Sequence, residues 1–128
     1  MSGDFWQRRR ADKVLLPIER RTHIALADLL RVACRPEWFW SHIGHGEHRD
    51  ERTGALLRRM GLKRGLCDFI FIGPNNQHRW LELKRGRAPL TDEQKAFAEH
   101  LRQCNVPHHI ARSYDDAVAK LREWNVLR

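Results

Sequence analysis

Residues 67–86 read CDFIFIGPNNQHRWLELKRG: two apolar runs of strand composition joined by a turn, with Asp68, Glu82 and Lys84 set inside them. Strand side chains alternate between faces, so Trp80, Glu82 and Lys84 share one face while Leu81 and Leu83 share the other. A three-residue loop Pro74–Asn76 or a five-residue loop Gly73–Gln77 brings Asp68 directly across from Glu82, on the same face. Opposed Cβ atoms on an antiparallel pair lie about 4.5–5.5 Å apart, and two like charges at that spacing repel. A cation between them removes the conflict. Lys84 is one candidate and a divalent metal is another, because carboxylate oxygens suit Mg²⁺ or Mn²⁺. The plainer alternative is an edge pair facing solvent, with Lys84 neutralising Glu82.

Working outward, "PIERRTHIALADLLRVAC" from Pro17 reads as a helix with Leu26, Leu30 and Ala33 on one face. Glu19 and His23 extend that stripe, and Glu19 also occupies the first turn, where the helix dipole favours an acid. "EWFWSHI" has the bulk of a strand, and "RTGALLRRM" is a short helix closing at Gly61. After the strand pair, "TDEQKAFAEHLRQC" is a helix with Phe97, Ala98 and Leu101 inward. "VPHHIAR" is a short strand, and "SYDDAVAKLREW" is a helix capped by Ser113 with Ala117, Val118 and Leu121 inward. The predicted order is helix, strand, helix, strand, strand, helix, strand, helix, an α/β domain spanning 17–128 behind a basic N-terminal arm at 1–16.

The chain has 128 residues, 41% of them hydrophobic, enough for one compact domain with its own core. Its 24 Lys and Arg against 16 Asp and Glu give a formal charge of +8, and the basic residues recur in clusters. A polyanion such as nucleic acid is the partner this implies; a solvated basic surface is the plainer reading. Cys34, Cys67 and Cys104 stand singly among apolar neighbours, which suits buried thiols in a reducing compartment. No apolar run approaches the roughly 18 residues of a membrane span, and the N-terminus lacks an apolar signal core, so a cytoplasmic location without membrane association is expected.

An Asp followed, on the next strand, by Glu-x-Lys resembles the PD-(D/E)XK nuclease superfamily. The longer stretches "TGALLRRMGLKRGLCDFIFI", "LELKRGRAPLTDEQKAFAEHL" and "VPHHIARSYDDAVAKL" look like the VRR-NUC (virus-type replication-repair nuclease) domain over roughly Ile18 to Leu121. The resemblance implies a restriction-endonuclease-like fold, a central mixed β-sheet flanked by α-helices, and metal-dependent cleavage of DNA. Carried over by position, Asp68 and Glu82 would bind Mg²⁺ or Mn²⁺ and Lys84 would act at the attacking water. Gln94 would be an additional active-site residue on the following helix, and Glu19 the acidic position on the first helix. Cys67 departs from the pattern, which usually has proline before the Asp. That proline shapes the backbone and ligates nothing, so catalysis stays plausible.

Gln94 is also the fourth residue of "TDEQ", a capping box, so it has a local job as well as the implied one. In the loop "HIGHGEH", His42, His45 and His48 stand at three-residue spacing beside Glu47, but without a cysteine pair or a helical i,i+4 spacing the zinc reading is weak. By the resemblance this loop lies near the active site, where His45 and Arg49 would touch DNA. Arg52, Arg58, Arg59, Lys63 and Arg64 form a broad basic surface with no recognition-helix pattern, suited to phosphates more than to bases. The expected protein is a Mg²⁺- or Mn²⁺-dependent DNA endonuclease acting in phage or bacterial replication, repair or recombination, with branched DNA such as Holliday junctions among its candidate substrates. A homodimer would place two active sites on two strands. A non-catalytic DNA-binding module of the same fold is the alternative, and RNA is not excluded as the substrate.

Overall fold

A computed structural model describes residues 18–43 and 51–128. The run read as a basic arm, together with His45, Glu47, His48 and Arg49, lies outside the described residues. The remaining chain follows the predicted order: α1 (Ile18–Ala33), β1 (Phe39–His42), α2 (Glu51–Arg59), β2 (Phe69–Gly73), β3 (Gln77–Leu83), α3 (Asp92–Gln103), β4 (His108–Ala111) and α4 (Tyr114–Glu123). The strands form one mixed sheet in the order β1-β2-β3-β4. The first three run antiparallel, and β4 pairs parallel to β3 after the α3 crossover.

One face of the sheet carries the core. Phe69, Phe71, Leu81, Leu83 and Ala111 point from the strands to meet Leu26 and Leu30 of α1 and Ala117, Val118 and Leu121 of α4. These are the alternate residues of each strand and the i, i+4 stripe of each helix, so the apolar pattern alone selects this packing. On the opposite face α3 covers β3, with the Phe97 ring edge-on to Trp80 at 5.0 Å. Glu82, on the same face as Trp80, is therefore covered by a helix and is not solvated as at an open edge.

The β2–β3 turn fixes the register. Gly73 pairs with Gln77, leaving the three-residue loop Pro74–Asn76. Asn75 and Asn76 both adopt positive φ, 59° and 64°, and the Gln77 N–H donates to the Pro74 carbonyl at 3.3 Å. Asn tolerates that backbone better than other non-glycine residues, and such a turn twists in the sense of the hairpin. Phe69 then stands opposite Leu81, and one residue further Asp68 faces Glu82.

Candidate active site

The site sits where β2 and β3 part. The Leu83 N–H points toward β2 and donates to the Asp68 carboxylate at 2.7 Å, in place of a ladder bond to main chain. On the other edge of β3 the Lys84 N–H continues the parallel pairing through the Ala111 carbonyl at 2.9 Å. Asp68 is pinned from behind as well: its carbonyl accepts from the Ile43 N–H at 2.8 Å and from His42 Nδ1 at 3.0 Å. A carbonyl only accepts, so His42 carries its proton on Nδ1.

Glu82 is 5% exposed and is the buried charged residue of the described chain. Its Oε1 accepts from Gln94 Nε2 at 3.3 Å, while Oε2 is buried without a protein partner. Burial first, then the adjacent Asp68 charge, push the Glu82 carboxyl up to about 8, against the pull of the Lys84 ammonium. An orphaned buried carboxylate oxygen beside a second carboxylate is costly to folding. It is also the arrangement a hard divalent cation relieves. Among the described residues no group of three or more His, Cys, Asp or Glu converges as a metal cage; a pair of carboxylates is a donor set that Mg²⁺ accepts when it keeps several waters.

Gln94 forms the cap read from the sequence, and the same side chain also reaches Glu82. The Thr91 hydroxyl accepts from the Gln94 N–H at 3.1 Å, and Gln94 Oε1 accepts from the Thr91 N–H at 2.9 Å, completing a capping box at the start of α3. With the amide oxygen committed to Thr91, the NH₂ end is turned toward Glu82. One side chain thus ties the helix start to the buried acid.

Gly65 seats the preceding loop on that same helix start. It has φ +85°, and a Cβ there would stand 2.5 Å from the Glu93 carbonyl and 2.8 Å from the Gln94 nitrogen, distances no side chain tolerates. Its positive φ and close approach left no signal in the sequence beyond the glycine itself. Cys67 is 5% exposed, and burial, with the Glu82 and Asp68 charges beside it, pushes its thiol far up, so it is held as an inert neutral group.

Glu19, placed on the inward stripe by periodicity, is exposed at the start of α1. It lines a cleft of about 210 Å³ together with Lys84, Arg112 and Tyr114. A larger groove of about 1110 Å³ opens on the Gln94 side, and Arg52, Arg58, Lys63 and Arg64 contribute to its walls. Arg59 is not among the residues that line it. The chain thus brings together Asp68, Glu82 and Gln94, sets Lys84 within electrostatic reach of Glu82, and gathers four of the expected phosphate contacts around an adjoining groove. The cleft-lining Arg112 and Tyr114 were not singled out by sequence reasoning, because β4 and α4 reach the site only through the parallel pairing with β3.

The fold is restriction-endonuclease-like, with an acidic pair at the fork of the central hairpin. No protein-family model matches the sequence, and no curated protein matches it. Among solved structures, a protein described as a VRR_NUC domain protein superposes with a TM-score of 0.61 at 18% sequence identity, covering 86% of this chain and 95% of that one. The likeness spans nearly the whole of both chains and establishes that this chain shares the fold of that VRR_NUC domain protein.

Proposed function

We propose that the protein is a nuclease that hydrolyses DNA phosphodiesters with Mg²⁺ or Mn²⁺. The observation that carries this reading is Glu82: a buried acid with an unpartnered oxygen, facing Asp68 and held by Gln94, costs stability in the absence of a cation. Asp68 and Glu82 would hold the cation, which when bound supplies Lewis-acid stabilisation of the charge developing on phosphate. Gln94 fixes the Glu82 carboxylate, and the Leu83 N–H fixes that of Asp68. Lys84, whose charge is felt at Glu82, would orient the attacking water and take part in its deprotonation. Glu19 faces the same cleft as Lys84 and would help order that water. The basic groove walls supply phosphate contacts, so binding should weaken steeply with salt.

The finer reading is a structure-selective endonuclease acting on branched DNA, Holliday junctions included, in phage or bacterial replication, repair or recombination. It would work in the cytoplasm as a homodimer with two sites for two strands. Among the described residues no helix is long and apolar enough to cross a membrane. The test is incubation with labelled four-way-junction, flapped, single-stranded and linear duplex DNA in Mg²⁺, Mn²⁺ or EDTA, beside Asp68→Ala and Lys84→Ala. Metal-dependent cuts that vanish in both variants are expected. Tight DNA binding with no cutting under any metal would replace the nuclease reading with a non-catalytic binding module. Light scattering showing a monomer at working concentration would remove the dimer.

A further inference from the structure

We propose that the cleft between α1 and the β4–α4 junction is a nucleotide subsite, receiving the phosphate and base of the nucleotide next to the one attacked; this rests on the nuclease reading above. Leu83, whose N–H holds the Asp68 carboxylate at 2.7 Å, and the adjacent Lys84 form part of the cleft wall together with Glu19. At about 210 Å³ it suits part of a single strand and is too small to admit a duplex. Lys84, Arg85 and Arg112 set three cations against the single carboxylate of Glu19 in its lining, a balance that favours an anion.

Arg112 is preorganised for that task. Its Nη1 donates to the Ala88 carbonyl, and its main-chain N–H donates to the Asp116 carboxylate at 2.8 Å. Asp116 is itself held by His109 Nε2 at 2.8 Å and by the helix start at Ser113. A guanidinium has five N–H donors, so one bond to Ala88 anchors the plane and leaves donors for phosphate oxygens. Tyr114 supplies the other half. It is 36% exposed at the first position of α4 and lies outside the hydrophobic core, so its ring is available as a platform for a base, which presents a stacking face whatever its identity.

The test measures a labelled single-stranded oligonucleotide binding in EDTA, and turnover in Mn²⁺ of both DNA and bis(p-nitrophenyl) phosphate, a diester with no neighbouring nucleotide. Tyr114→Ala should weaken oligonucleotide binding and raise KM for DNA about tenfold, the order expected for losing one stacked base, with kcat/KM for the small diester unchanged. Tyr114→Phe should restore DNA affinity, since stacking does not need the hydroxyl. Arg85→Gln should lower the slope of log K against log salt by about 1. Unchanged DNA affinity in Tyr114→Ala would overturn the subsite, as would an equal loss on the small diester, which would mark a general disturbance of the site. If the wild type cleaves neither substrate the nuclease reading falls, and the oligonucleotide affinities still decide whether the cleft binds a nucleotide.

Discussion

Replacing Glu82 by glutamine should make the metal-free protein more stable at alkaline pH, because it removes a charge the fold buries at a loss. The folded state holds the Glu82 proton up to about pH 8, whereas the ordinary value is 4.5. The folded protein therefore binds more protons than the unfolded chain between those limits, and stability must fall as pH rises through the window. The contribution is fully present below about pH 4.5, is lost progressively, and levels off above about pH 8. At about 1.4 kcal/mol per pH unit the upper bound is near 5 kcal/mol. The effective dielectric around a buried group is well above that of a dry interior, so a loss of about 2–3 kcal/mol is expected. Urea denaturation from pH 5 to 8.5 in EDTA, wild type beside Glu82→Gln, isolates this group together with its coupling to Asp68, since titrations remote from the site are common to both chains. Added Mg²⁺ should stabilise the wild type more at pH 8 than at pH 6, because proton and cation compete for the same carboxylate, and should do little for Glu82→Gln. Parallel pH profiles for the two proteins would refute the reasoning, because Glu82 would then titrate alike in the folded and unfolded chain.

Gln94→Glu keeps an acceptor for the Thr91 N–H but turns a carboxylate on Glu82, so it should fold with a small change in Tm while losing most DNA cleavage. Gln94→Ala, which also removes half of the capping box, should lose about 1 kcal/mol of stability besides, read by urea denaturation. Gly65→Ala forces the loop off the Glu93–Gln94 peptide, with an expected cost of about 1–3 kcal/mol and a fall in activity of at least tenfold under conditions where circular dichroism shows it folded. Gly73→Ala is the structural counterpart: its Cβ would stand 2.7 Å from the buried Trp38 ring, so it should destabilise by a similar amount while the folded fraction keeps its specific activity.

The local pattern carried a large part of this protein. Apolar spacing, residue bulk and helix-end signals together placed all eight described elements in order, and either loop length read at Pro74–Asn76 sets Asp68 against Glu82, since the centre of the turn decides which residues face each other across a hairpin. The capping box of Thr91 and Gln94 was legible for the same reason: its partners are three residues apart. What the sequence left open was whether the charged strand faces solvent or a helix. That depends on α3 crossing over β3, a contact between segments distant in the chain, and it turns Glu82 from a surface acid into a buried one with an orphaned oxygen. The same holds for Gly65 against Glu93, and for Arg112 and Tyr114 beside Lys84. Local periodicity specifies which face of each element is apolar; only the packed sheet decides which polar groups are shut away together, and a shared burial is what makes their chemistry unusual.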